Sequence, residues 1–76
     1  MEEKLLQEIA KLIDKDVGEL SVDKRFNEEL GADSSHKFMI VAVIEELTGK
    51  RTTYQKFNKC KTIGEALVFM SSLLEK

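Results

Sequence analysis

The chain is predicted to be all-α: a small antiparallel helical bundle with three main helices, a short third one, and a long loop between helices one and two. Three observations carry this reading. Apolar residues recur at i, i+3, i+4 and i+7 in separate stretches, the period of an amphipathic helix. No stretch reads as a strand, and proline is absent. Helix starts and stops punctuate the pattern at Asp33-Ser34, at Gly49 and at Thr62-Ile63-Gly64-Glu65.

The elements follow in order. Leu5, Leu6, Ile9, Leu12 and Ile13 mark a first helix over residues 2–15. Val17, Leu20 and Val22 then punctuate a loop rich in Asp, Gly, Ser and Glu. A loop this long in a small helical domain either packs onto the core or serves a function. Phe26 and Leu30 are its expected anchors. The second helix runs over residues 34–48 and stops at Gly49, a left-handed residue just past the end. Its inward stripe is Ile40, Val41, Ile44 and Leu47, which leaves Ser35, Phe38, Met39, Ala42 and Glu46 on the opposite side. Residues 54–59 form the short third helix, with Phe57 inward. Thr62 and Glu65 make a capping box, and the last helix continues to Leu74 on the apolar face Ile63, Ala66, Leu67, Met70, Leu73 and Leu74.

At 76 residues the chain is one domain. A domain of this size buries roughly 60–65% of its unfolded surface, so modest stability is expected. A single cysteine forbids an internal disulfide and points to a reducing cytoplasm. The first residues, Met1-Glu2-Glu3-Lys4, open an amphipathic pattern with no signal-peptide character. The longest apolar run, 38–44, is too short to span a bilayer. A soluble monomer is the expectation. Charge is uneven: residues 1–33 hold ten acids and five bases, residues 34–76 four acids and seven bases. The bases are scattered, without the dense stripe that neutralises phosphates, so nucleic acid is not an expected partner.

Asp33-Ser34 places a hydroxyl where a loop becomes a helix, on anchored backbone, at the positive end of a helix dipole that tolerates phosphate. With its surroundings, Phe26-Asn27-Glu28-Glu29-Leu30-Gly31-Ala32-Asp33-Ser34, the site closely resembles the attachment site of acyl carrier proteins. The resemblance covers essentially the whole chain, residues 1–76, as one acyl-carrier-like domain. It includes Glu45-Glu46-Leu47 closing helix two and Thr62-Ile63 opening the last helix. It implies that a phosphopantetheinyl transferase attaches the 4′-phosphopantetheine of coenzyme A to Ser34, with Asp33 serving as N-cap and in transferase recognition. The arm's thiol would hold an acyl group as a thioester and present it to acyl-loading and acyl-processing enzymes, the chain itself catalysing nothing. It also implies that an acyl chain folds back between helices, into a pocket expected at Phe26, Ile44, Phe57 and Cys60.

The departures concern the docking face. The family's Asp-Ser-Leu is Asp33-Ser34-Ser35 here, and its acidic start of helix two is His36, Lys37, Phe38 and Met39. Lys50-Arg51-Thr52-Thr53, Lys56, Lys59 and Lys61 also depart from the family pattern. Partner contacts are therefore expected at Ser35, Lys37, Phe38, Met39, Ala42 and Glu46, and the chain reads as a specialised carrier in a lipid or secondary-metabolite pathway. A second reading stays open: a helical interaction domain of the same fold, unmodified, that binds a partner through the apolar and basic face of helix two.

Other chemistry is weakly supported. His36 lies two residues from Ser34, a spacing at which helix side chains do not face each other, so it is read as solvent-exposed. Cys60 would be a reactive thiol if Lys59 and Lys61 lowered its pKa; a small residue packed near Phe57 is the expected role. One cysteine and one histidine make no metal site.

Overall fold

Glu2–Ile13, α1, opens a computed structural model that describes residues 2–75; Met1 and Lys76, the ends of the expected 1–76 domain, lie outside the described residues. The helix buries Leu5, Ile9 and Ala10 and leaves Leu6, Leu12 and Ile13 half-buried. It stops two residues short of the expected end. Asp14 takes a left-handed conformation at φ 57°, and the Lys15 N–H donates to the Ala10 carbonyl at 2.9 Å. That closing bond satisfies a free carbonyl of the last turn, and aspartate is among the few residues that tolerate the conformation.

The loop over residues 14–33 is pinned to the rest of the domain. It contains a 3-10 turn at Val17–Glu19 and buries Leu20, Phe26, Leu30 and Ala32. Phe26 and Leu30 are the anchors expected from sequence. The loop is also laced to the start of the last helix. The N–H groups of Phe26, Ile63 and Gly64 donate to the carbonyls of Lys61, Lys24 and Val22 at 3.0, 3.0 and 2.9 Å, around an isolated antiparallel bridge between Arg25 and Thr62.

Ser34–Thr48, α2, has the predicted bounds and ends at Gly49 with φ 69°, whose N–H donates to Glu45. Tyr54–Phe57, α3, is shorter than expected. Its start is capped by Thr53, whose hydroxyl accepts from the Lys56 N–H at 3.2 Å, and Asn58 and Lys59 continue as a turn. Ile63–Leu74, α4, begins at the predicted capping box: Glu65 N–H donates to the Thr62 hydroxyl at 3.2 Å, and Thr62 N–H donates to the Glu65 carboxylate at 3.1 Å. Helix α2 is central, packed against α1, α3 and α4. Three rings tie the loop to the C-terminal half: Phe26 and Phe57 have centroids 5.8 Å apart, and Phe57 and Phe69 meet edge-on at 5.7 Å. The described residues form a helical bundle without a strand.

Candidate functional site

Gly31 and Ala32 fix the approach to α2. Gly31 adopts φ 66°, which favours glycine, and the turn it makes drives Ala32 fully into the core. Asp33 then caps the helix: its Oδ1 accepts the His36 N–H at 3.2 Å. His36 closes the cap from the other side, with Nδ1 3.0 Å from Asp33 Oδ1 and 3.3 Å from the Asp33 backbone nitrogen. A protonated Nδ1 donates to the carboxylate, and a bare one accepts the Asp33 N–H. His36 thus takes the place that Glu or Gln holds in a capping box. The spacing i, i+3 was the signal for this role, and a reading of His36 as merely solvent-exposed missed it. The His36 N–H holds the Asp33 carboxyl below its ordinary 3.8, helped by the imidazole.

Ser34 is the first residue of α2 and is exposed, as is Ser35. Its hydroxyl stands at the helix's positive end on backbone held by Ala32 and by the Asp33 cap. Along the same helix Phe38 is 58% and Met39 46% exposed, and Ala42 and Glu46 are exposed as well. Tyr54 of α3, which the sequence reading left out, stacks on Phe38 with centroids 4.2 Å apart and planes 16° off parallel. The exposed apolar surface therefore spans two helices.

Lys37 is a correction. It was expected on the outward docking face, yet it is only 4% exposed. Its position explains this: it precedes Ile40 by three and Ile44 by seven, so it belongs to the buried stripe. Burial pushes its ammonium pKa down, and the charge of Lys61 adds to the effect. Positive surface charge comes instead from the segment between Glu46 and Glu65. It holds Lys50, Arg51, Lys56, Lys59 and Lys61, all exposed, and no acid.

Phe26, Ile44 and Phe57 are fully buried in the core, and Cys60 is 7% exposed. Cys60 also lines a surface groove of about 890 Å³ with Val22, Lys56, Lys59, Val68 and Phe69. Its thiol donates to the Glu65 carbonyl at 3.6 Å. Burial, then the Glu65 carboxylate, pushes its pKa up to about 11. Lys59 and Lys61 do not activate it. Among the described residues no group of three or more His, Cys, Asp and Glu could hold a metal, and no helix is long and apolar enough to cross a membrane.

The chain is similar to known proteins over most of its length. The family pattern of the phosphopantetheine attachment site matches residues 3–67. The acyl carrier protein of Treponema denticola is 32% identical over 69 residues, covering 91% of this chain and 88% of the relative. That of an Arthrobacter species is 30% identical over 74 residues, covering 92% and 91%, and that of Borrelia garinii subsp. bavariensis is 29% identical over 62, covering 82% and 78%. An exposed hydroxyl on an anchored helix N-terminus fits the phosphodiester such carriers bear. With the fold, the Asp33-Ser34 turn and these matches in agreement, the chain belongs to the acyl carrier protein family, non-enzymatic carriers with a covalently attached 4′-phosphopantetheine.

Proposed function

We propose that Ser34 is the attachment residue and that the protein carries an acyl group in a specialised lipid or secondary-metabolite pathway. The observation that supports this most directly is the exposed Ser34 hydroxyl, first in α2, between the Asp33 cap and the buried Ala32. When bound, the arm supplies a terminal thiol that holds the acyl group as a thioester. The chain's own residues do the rest. Asp33 and His36 keep the first turn of α2 formed, so the hydroxyl meets a phosphopantetheinyl transferase in one orientation. Ser35, Phe38, Met39, Ala42 and Glu46 form the partner surface, and Tyr54 extends it onto α3. Tethering raises the effective concentration of cargo at each partner's active site. Phe26, Ile44, Phe57 and Cys60 are the side chains that an acyl chain folding back would meet. The family match favours this reading over an unmodified interaction domain.

Specialisation rests on charge. A partner that docks through arginine and lysine is repelled by the basic segment between Glu46 and Glu65, and such electrostatics act mainly on association rate and specificity. Fatty-acid elongation enzymes are therefore expected to use the loaded protein with a kcat/KM about ten-fold or more below that of an acidic carrier. Equal use would remove the specialised assignment.

Attachment is tested by intact mass after incubation with coenzyme A and a broad-specificity phosphopantetheinyl transferase. The expected result is a gain of one phosphopantetheine that Ser34→Ala abolishes and Ser35→Ala does not. A gain that survives Ser34→Ala, or none from folded protein with any transferase tried, overturns the assignment.

A further inference from the structure

Single exposed apolar side chains are ordinary on a protein surface, whereas a contiguous set beside a functional position marks an interaction site. Phe38 and Met39 are exposed on α2, and Tyr54 lies flat on the Phe38 ring at 4.2 Å. That stack fixes the start of α3 to the outward face of α2. Phe38 follows Ser34 by four residues, so the two share a face of the helix. The aromatic pair therefore begins about 6 Å further along the helix axis from Ser34. Any protein that receives a group tethered at Ser34 meets this pair.

The charge beside the pair is positive. Arg51 precedes Tyr54 by three residues and Lys56 follows it by two. Chain connectivity holds both Cα atoms within about 11 Å of that of Tyr54, close to the Debye length of roughly 8–10 Å. Both side chains are exposed, and neither enters an ion pair among the described residues. Glu45, the acid nearest in the chain on the inner side, accepts the Thr52 N–H at 3.0 Å and is committed to its own backbone. Glu46 is exposed, eight residues beyond Phe38. The aromatic pair thus has cations on its α3 side that the chain itself does not neutralise.

Two surfaces combine apolar and anionic chemistry, a lipid headgroup layer and a folded protein. The protein fits better. Phe, Tyr, Met and Arg are the residues that protein interfaces concentrate, and Phe38, Tyr54, Met39 and Arg51 supply one of each. Asp33 and Glu46 are exposed at the two ends of α2 and would be pushed away by anionic headgroups. A folded partner can shape itself around them. We propose that the enzymes this carrier serves dock on the Phe38–Tyr54 pair through an apolar cleft edged with aspartate and glutamate, the carboxylates facing Arg51 and Lys56. The inference deepens the functional reading and rests on Ser34 as the attachment residue, which sets the partner's active site at one end of this face. The carrier contributes the cations and the partner the anions.

The test selects a random linear peptide library, displayed on phage, against the immobilised phosphopantetheinylated protein. Mass spectrometry locates the arm first. An arm on a residue other than Ser34 defeats the attachment assignment, whereas the selection alone decides the chemistry of the docking face. The recovered peptides are expected to combine apolar residues with net negative charge. They should bind the double variant Arg51→Glu/Lys56→Glu about ten-fold or more weakly than wild type. Phe38→Ala should weaken them by about ten-fold as well. The double variant Lys4→Glu/Lys11→Glu makes the same change in net charge on α1 and should stay within about two-fold of wild type. Each substituted side chain is exposed, and circular dichroism checks that the variants stay folded. Neutral or basic peptides, acidic peptides bound equally by all variants, or no peptide above background overturns the proposal. Vesicles of phosphatidylglycerol and phosphatidylcholine are the second probe, and no cosedimentation is expected. Cosedimentation that Arg51→Glu/Lys56→Glu abolishes assigns the face to a membrane surface and overturns the proposal.

Discussion

Cys60 and the two capping carboxylates show how position sets the chemistry of single residues. Burial and the neighbouring Glu65 raise the Cys60 pKa to about 11 from an ordinary 9.0, so on the order of a hundred-fold less thiolate is present at neutral pH than in an unperturbed cysteine. Alkylation of the native protein by iodoacetamide at neutral pH should be slower than that of the denatured chain by a similar factor. Labelling of the native protein at the denatured rate would show that the thiol is open to solvent. Asp33 and Glu65 shift the other way. Each carboxylate accepts backbone N–H groups, His36 for Asp33 and Lys61 first for Glu65, and each sits below its ordinary value, 3.8 and 4.5. A lowered folded-state pKa contributes stability above the unfolded value, and that contribution disappears as pH falls through the folded one. Melting temperature should therefore drop as the solution is acidified from about pH 5, and Glu65→Gln should flatten that drop. An unchanged slope in Glu65→Gln would mean the cap carries no proton linkage. At this scale sequence reasoning worked where the chemistry is local. The Asp33 cap and the Thr62–Glu65 box are legible because each cap is written within four residues. Lys37 was misplaced because its charge argues for solvent while its register argues for the core, and register prevailed. Tyr54 was missed because its partner, Phe38, comes from another helix.

Helix ends separate what the pattern of apolar residues encodes from what it does not. The bounds of α2 and α4 match expectation because Asp33, Gly49 and Thr62 are strong stop and start signals. The ends of α1 and α3 do not, since no glycine follows either, and the apolar period alone cannot say which residue will bear a left-handed turn. Asp14 bears it after α1. Gly64 in α4 has a different constraint. A Cβ there would stand 3.0 Å from the Val22 carbonyl oxygen and 3.2 Å from its Cβ. Alanine normally improves a helix over glycine by about 0.5–1 kcal/mol. Here the crowded atom is backbone, held by the Gly64 N–H at 2.9 Å, so the clash outweighs propensity. Gly64→Ala is expected to lower stability by about 1–3 kcal/mol in a denaturant melt. A stabilised variant would show that the Val22 segment yields freely.

At the scale of the whole molecule, the uneven charge seen in the sequence becomes spatial. Acids gather in α1, the loop and the Asp33 turn, whereas the run from Lys50 to Lys61 is purely basic. The path of the loop was the least legible feature. Its anchors were readable from Phe26 and Leu30, but its pairing with residues 61–64 depends on backbone groups that carry no side-chain signature. Those bonds also predict dynamics. The amides of Phe26, Ile63 and Gly64 should exchange with solvent at a common opening free energy, because none can open without the shared bridge. Exchange of the Phe26 amide far ahead of the other two would show that the loop detaches alone.

That bridge has a mechanical meaning. It works as a splint, fastening the segment that leads into Ser34 to the base of α4, so the two travel as one rigid piece. Any parting of the bundle at this junction has to break those backbone bonds first.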